Sequence, residues 1–131
     1  IPGIEGMSEN IEVISILDRF LEHARVYIFA NGGEEAMYIA SADWMTRNLD
    51  RRVEVAAPIY DPKLFAELRN IIDLQWQDNT KARIIDADLS NTYRSSLPLE
   101  SKVRAQIDIY RLLEKQIPTK AIESQAVSSN Q

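Results

Sequence analysis

The stretch RVYIFANGGEEAMYIA, residues 25–40, constrains the fold of this chain more than any other part of the sequence. RVYIFA is rich in β-branched and aromatic side chains, which predicts a strand over residues 25–30 that is buried on both faces. Residues 31–33 are Asn-Gly-Gly, and these residue types adopt the positive φ angles that a hairpin turn requires. AMYIAS, residues 36–41, predicts the returning strand. We therefore expect a hairpin that forms part of a sheet.

Hydrophobic spacing predicts the other elements. They are a strand over residues 11–17, a short helix over 17–24, a loop with one helical turn over 41–50, a strand over 52–58, an amphipathic helix over 61–76, a short strand at 82–85 and a second helix from Leu99 to residue 117. Asp61 and Pro62 are a typical N-cap and first-turn pair, and Pro118 is expected to end the last helix. Together these elements predict an α/β fold in which a mixed sheet is flanked by amphipathic helices.

With 131 residues, the chain is long enough for one compact domain, which we place at residues 1–117. Residues 118–131 have few apolar side chains and are expected to form a disordered tail. The sequence begins at Ile1 without the basic and apolar regions of a signal peptide, so we expect a segment of a longer, cytoplasmic protein. No run reaches the ~18 apolar residues of a membrane-spanning helix, which leaves peripheral membrane association as the alternative.

Composition excludes several kinds of site. The absence of cysteine excludes disulfides and thiol nucleophiles, and a single histidine argues against a histidine zinc site, so no metal ligand is assigned. The net charge is -5, and residues 1–57 contain five arginines and ten carboxylates. Binding of nucleic acid or another polyanion by overall charge is therefore not expected. An anion would have to be held locally by a few arginines.

The single histidine, His23, is followed two residues later by Arg25. In an extended segment such residues project to the same side, so an imidazole and a guanidinium would face one pocket. An imidazole near its usual pKa of about 6.5 can act as nucleophile or proton donor while an arginine holds phosphate oxygens. This pattern predicts phosphoryl chemistry. The alternative is an exposed histidine near a helix C-terminus, where the helix dipole favours it.

A second candidate stretch is SADWMTRNLDRRVEV, residues 41–55. Ser41 and Asp43 lie on a turn directly after a predicted strand, and Arg52 and Glu54 would share a face of the next strand. A carboxylate at Glu54 could orient an imidazole, as the third member of a triad does. In the alternative interpretation Asp43 caps a helical turn, the arginines are solvated, and Glu54 pairs with one of them.

The pattern His23-x-Arg25, Ser41-x-Asp43 and Glu54 resembles the half-motif of the phospholipase D superfamily, which runs His-x-Lys, Gly-Ser-x-Asn and then a Glu. Arg25 replaces the lysine and Asp43 the asparagine. Ala30 stands where that superfamily usually has an aspartate. These departures argue against hydrolysis of a phosphodiester.

A closer resemblance covers residues 3–113. The segments MSENIEVISILDRFLEHARVYIFANGG, YIASADWMTRNLDRRVEVAAPIYDPKL, KARIIDADLSNTYR and KVRAQIDIYRLL are similar to the C-terminal region of the long-chain bacterial polyphosphate kinases. In that family two phospholipase D-like domains face each other, and the γ-phosphate of ATP passes reversibly to polyphosphate through a phosphohistidine. The resemblance implies that this chain is the C-terminal part of the second of those domains, whereas the phosphorylated histidine belongs to the first.

The resemblance also implies roles for individual residues. His23 matches the family's second essential histidine, an acid or base in phosphoryl transfer, and Arg52 matches an arginine among the phosphate ligands. We add Arg25 and Arg47 as phosphate ligands on chemistry and spacing. Glu54 is expected to hold the ring of His23 in one tautomer. Ser41 and Asp43 complete the predicted phosphate or nucleotide site.

The expected partners are ATP or ADP, Mg²⁺ bound with ATP, polyphosphate, the remaining domains of the same enzyme and a second copy in a homo-oligomer. The segment alone is expected to be inactive. Two alternatives stay open at this point. One is half of a phospholipase D-type phosphodiesterase that completes its site by dimerising. The other is a non-enzymatic anion-binding or interaction domain that docks through its amphipathic helices.

Overall fold

The computed structural model describes residues 1–94 and 101–116. Its strands are β1 (Ile14–Ile16), β2 (Val26–Phe29), β3 (Ala36–Ala40), β4 (Ala56–Pro58) and β5 (Ala82–Ile84). Its α-helices are α1 (Thr46–Arg51), α2 (Pro62–Gln77) and α3 (Ala105–Glu114). The predicted α/β composition is confirmed.

The chain divides into two compact units. We call residues 20–70 the hairpin unit, and residues 1–19 together with the chain from residue 71 onward the terminal unit. The sequence predicts a single unit over residues 1–117, so this division differs from the prediction. The tail predicted over residues 118–131 lies outside the described residues.

The predicted hairpin is present in the hairpin unit. β2 and β3 pair antiparallel, with Val26 opposite Ile39 and Phe29 opposite Ala36. The connection is a 3-10 turn over Asn31–Gly33, in which all three φ angles are positive, at 44°, 69° and 104°. The side-chain amide of Asn31 donates a 2.9 Å hydrogen bond to the carbonyl of Glu34. The Asn-Gly-Gly sequence therefore forms the turn because its residues tolerate this left-handed backbone.

Two details of the predicted sheet are wrong. β2 is not buried on both faces, because it lies at the edge of a three-stranded sheet of order β2-β3-β4, and its side chains are half-buried or exposed. The fully buried side chain of this sheet, Met37, lies on the central strand. The described strands also form no mixed sheet, since β3 pairs antiparallel with β4, and β1 pairs antiparallel with β5 in a separate sheet.

β3 and β4 are antiparallel because the loop between them, residues 41–55, is closed by a backbone hydrogen bond. The backbone N–H of Ser41 donates a 3.0 Å hydrogen bond to the carbonyl of Val55, so the connecting segment leaves and re-enters the sheet at the same end. A parallel neighbour would require a crossover to the opposite end. The predicted strand over residues 52–58 is shorter than expected and begins at Ala56.

The helix predicted over residues 17–24 is absent, because residues 18–20 form bends and the others have no regular secondary structure. Phe20 and Leu21, which would have supplied its apolar face, are exposed. An isolated stretch of this length is marginal as a helix unless its apolar face packs. Asp18 instead accepts hydrogen bonds of 2.8 and 2.6 Å from the guanidinium of Arg104 in the terminal unit.

The two long helices were predicted with different success. α2 begins as expected, because the Asp61 carboxylate accepts N–H bonds from Lys63 at 2.7 Å and Leu64 at 3.2 Å. α3 begins at Ala105 rather than at Leu99, which lies outside the described residues. No helix of the described part of the chain is long and apolar enough to cross a membrane.

The terminal unit is organised around the buried carboxylate of Asp78. One oxygen accepts backbone N–H bonds from Thr80 at 3.0 Å, Lys81 at 2.6 Å and Ala82 at 3.0 Å, and the other accepts from Ala105 at 2.8 Å. Burial alone would raise the pKa of Asp78, but these bonds hold it below its ordinary value. One side chain therefore connects the end of α2, the start of β5 and the start of α3.

Candidate functional site

The predicted site residues of the hairpin unit lie where three chain segments meet at one end of the sheet. The backbone N–H of Ala40 donates to the carbonyl of Arg25 at 2.9 Å. The hydroxyl of Ser41 accepts the backbone N–H of Val55 at 3.0 Å. The segments around residues 25, 41 and 55 are therefore fixed side by side, as the sequence pattern predicts for a shared site.

Arg25 is bound by a carboxylate within the site. Its Nε donates to Oδ1 of Asp43 at 2.6 Å, and the guanidinium is only partly exposed. This hydrogen bond raises the pKa of Arg25 and lowers the pKa of Asp43. Asp43 is thus not a helix cap, and α1 instead has Met45 at its N-cap with no side-chain bond. Any phosphate that uses Arg25 has to share it with Asp43.

Glu54 lies at the centre of a second polar network. Its Oε2 accepts a hydrogen bond from the hydroxyl of Ser41, and its Oε1 accepts one from Nδ2 of Asn48 at 2.8 Å. These two bonds, first that of Ser41 and then that of Asn48, lower the pKa of Glu54. The expectation that this carboxylate orients the ring of His23 is wrong for this structure. The hydroxyl of Ser41 reaches the carboxylate because Ser41 pairs with Val55, the residue after Glu54.

His23 has an exposed side chain next to the first network. Its backbone carbonyl accepts a 3.3 Å hydrogen bond from Nη1 of Arg25, so the guanidinium turns back toward residue 23. After the bond from Arg25, the charges of Arg47 and His23 lower the pKa of Asp43 further. The structure therefore brings His23, Arg25 and Asp43 together, as predicted, but with the imidazole facing outward.

Arg47, in the first turn of α1, and Arg52, directly after the helix, are both exposed. Arg52 follows the helix with an extended backbone, at φ -124° and ψ 154°, and its charge contributes to the lowered pKa of Glu54 after the bonds from Ser41 and Asn48. Neither arginine forms a salt bridge with a residue that the structure describes. These two guanidinium groups are the cations of the site that a phosphate could bind without displacing a carboxylate.

Sequence reasoning missed three residues of this region. Asn48 is only 3% exposed and donates a hydrogen bond to Glu54. Nothing in the sequence distinguishes it from the polar residues beside it, which are exposed. Tyr27 and Trp44 stack with ring centroids 6.2 Å apart, and the indole N–H donates to the tyrosine hydroxyl at 2.9 Å. The tyrosine in turn donates to the carbonyl of Ala42 at 3.3 Å, which stiffens the turn that carries Asp43.

A separate cavity of about 730 Å³ lies elsewhere in the hairpin unit. It is lined mainly by the turn after β2, by β3 and by the start of α2, with Met37, Tyr38 and Tyr60 among its residues. None of the predicted site residues lines it. The candidate site is therefore separate from this cavity.

Comparison with known proteins identifies the family of this chain. Residues 1–106 match the family model described as "Polyphosphate kinase C-terminal domain 2". This chain belongs to that family. It is 55% identical over 112 residues to the polyphosphate kinase of Escherichia coli strain K12, a match that covers 84% of this chain and 16% of that protein.

Other relatives give the same result. The polyphosphate kinase of Vibrio parahaemolyticus is 53% identical over 116 residues, with 87% of this chain and 16% of the relative covered. The crystal structure of polyphosphate kinase from Porphyromonas gingivalis matches with a TM-score of 0.79 and 47% identity, over 83% of this chain and 17% of that chain. The chain thus spans about one sixth of the length of these relatives. The predicted membership of the polyphosphate kinase family is confirmed.

The site carries little that could hold a metal ion by itself. In the part of the chain that the structure describes, no group of three or more histidine or carboxylate side chains is arranged to bind one. The carboxylates of Asp43 and Glu54 are instead engaged by Arg25, Ser41 and Asn48. What this arrangement can do chemically is bind anionic oxygens at its arginines and exchange a proton at His23.

Proposed function

We propose that this chain supplies one wall of the catalytic site of a polyphosphate kinase, which reversibly transfers the γ-phosphate of ATP to a growing polyphosphate chain through a phosphohistidine. His23 acts as the second catalytic histidine and exchanges a proton with the phosphate during transfer. Arg52 and Arg47 bind phosphate oxygens. Arg25, which is paired with Asp43, faces the same phosphate and adds a charge that the carboxylate shares.

The observation that carries this proposal is the charge arrangement around His23. Phosphoryl transfer depends mainly on positioning and on neutralising charge spread over the phosphate oxygens. In a segment whose carboxylates outnumber its arginines, the two acidic side chains at the site are both occupied by hydrogen-bond donors, whereas Arg47 and Arg52 are exposed. The exposed guanidinium groups therefore offer a local site for an anion, although the net charge of the chain is negative.

The rest of the enzyme supplies what this segment lacks. We propose that the phosphorylated histidine, the nucleotide site and further positive charge come from other domains of the same protein, with this segment as part of a phospholipase D-like domain. Mg²⁺ enters as the counter-ion of ATP, since the described residues provide no cluster of carboxylates for it. We further propose that the complete enzyme is a homo-oligomer. The segment alone is expected to make no polyphosphate.

Alanine at His23 in the full-length enzyme tests the proposal. Loss of a positioned acid or base lowers the rate by roughly 10² to 10⁴-fold, so ATP-driven chain growth should fall by about that factor. Lys63→Ala, which removes an exposed charge on α2, is the control and should leave the rate unchanged. Near wild-type chain growth in the His23→Ala enzyme would remove this histidine from the mechanism. Release of alcohol from a model phosphodiester would favour a hydrolase instead.

A further inference from the structure

Asn48 has a position unlike that of the other polar side chains of α1. It is 3% exposed, whereas Arg47 and Asp50 on either side of its turn are exposed. Its Nδ2 donates to Glu54, and its Oδ1 is buried without a hydrogen-bond partner among the described residues. A buried polar side chain with only part of its hydrogen-bonding capacity used is costly. Its presence therefore needs a reason other than packing.

The bond from Asn48 closes the short segment that carries Arg52. Asn48 lies on α1, and Glu54 lies six residues further along the chain, two residues before the strand β4. Arg52 is between them and has an extended backbone, at φ -124° and ψ 154°. The other oxygen of Glu54 is held by Ser41 at the end of β3. The path of the chain through Arg52 is therefore fixed from both sides.

We propose that Asn48 is a positioning residue for phosphate binding, because its hydrogen bond to Glu54 sets where the Arg52 guanidinium points. This inference rests on the proposed function, in which Arg52 is a phosphate ligand. Asn48 does not touch the phosphate itself. Without its bond, the segment after α1 is free to move, and the arginine spends less time in the orientation that meets the phosphate.

The chemistry of the amide explains the choice of asparagine over similar residues. An aspartate at this position would place a second carboxylate 2.8 Å from that of Glu54 at neutral pH, and the two charges would repel. An aliphatic side chain of similar volume would fill the space but leave Glu54 without a donor. An amide both fits the buried position and donates to a carboxylate.

The test measures binding of inorganic polyphosphate of defined length to the full-length enzyme in a double-mutant cycle. The variants are Asn48→Ala, Arg52→Ala and the double variant, with Asn70→Ala on the exposed side of α2 as the control. We expect Asn48→Ala to weaken binding about tenfold in the wild-type background and to have almost no effect when Arg52 is already alanine. A merely structural role would lower affinity by the same factor in both backgrounds, and that result would overturn the inference.

Two further results separate this inference from the proposal on which it rests. If Arg52→Ala leaves polyphosphate binding unchanged, the proposed role of Arg52 fails, and the inference fails with it. If Arg52→Ala weakens binding while Asn48→Ala does not, only the inference fails.

The variant Asn48→Asp provides a test that does not depend on truncation. A protonated carboxyl can donate to Glu54, so its affinity for polyphosphate relative to the wild-type enzyme should recover as the pH falls from 8 to about 5. A ratio that stays constant over this range would overturn the proposed role of the donated hydrogen bond.

Discussion

Replacing Asp78 with alanine should lower the free energy of unfolding of the terminal unit more than replacing an exposed residue does. The substitution removes the acceptor of four backbone N–H groups, and two of these, on Ala82 and Ala105, belong to fully buried residues. Each buried donor left without a partner costs about 1–3 kcal/mol, so those two alone predict a loss of about 2–6 kcal/mol. That is a large share of the roughly 5–15 kcal/mol that stabilises an ordinary domain.

Urea denaturation of the 131-residue chain, followed by far-UV circular dichroism, measures this loss. Amide hydrogen exchange locates it, because protection should fall at residues 80–82 and at Ala105 before it falls elsewhere. Asp88→Ala removes an exposed carboxylate of the same unit and should change the free energy of unfolding by less than about 0.5 kcal/mol. Equal stability of the Asp78→Ala and Asp88→Ala variants would refute the assignment of Asp78 as the organising side chain.

The pH dependence of the same experiment has a definite sign. The pKa of Asp78 is lower in the folded chain than its ordinary value, so its ionised form stabilises the fold above the unfolded pKa of about 3.9. That contribution is lost as the pH falls through the lower, folded value. The wild-type chain should therefore lose stability toward acid more steeply than Asp78→Asn, which has no charge to protonate. Parallel curves for the two would contradict the sign of the shift.

Two other predictions concern the hairpin unit. Gly33→Ala should destabilise the hairpin by about 1–3 kcal/mol, because the φ angle of 104° strains any residue with a Cβ although the surrounding space is open, and amide exchange in β2 and β3 measures this against Glu34→Ala as the control. Unchanged exchange would show that the turn relaxes without cost. Asp43→Asn should release Arg25 to the phosphate, so binding of polyphosphate by the full-length enzyme should strengthen and become more sensitive to ionic strength. Weaker binding in that variant would mean that the carboxylate positions Arg25 rather than competes for it.

The parts of the fold that sequence predicted well are those whose cause is local. The Asn-Gly-Gly turn at residues 31–33 needs positive φ angles, and the cap of α2 needs a carboxylate at Asp61, so both follow from residues close in sequence. The helix predicted at residues 17–24 failed because its formation depends on packing that local spacing does not report. The start of α3 depends on Asp78, which is 27 residues away from its hydrogen-bond partner Ala105.

The candidate site was predicted in the same uneven way. The spacing of the pattern and the resemblance predicted which residues lie close together in the site. They are His23, Arg25, Ser41, Asp43 and Glu54. The partners within the site were not predicted, because Glu54 binds Ser41 and Asn48 rather than His23. Differences in position of an ångström or less decide which donor reaches a carboxylate. For Glu54, the pairing of Ser41 with Val55 places the hydroxyl of Ser41 within reach.

A crystal structure of the complete enzyme with bound polyphosphate would test the central claim most directly. The account predicts a phosphate group with an oxygen within about 3 Å of the Arg52 guanidinium and the imidazole of His23 turned toward the same group. A phosphate bound elsewhere, with Arg52 and His23 both facing bulk solvent, would contradict it.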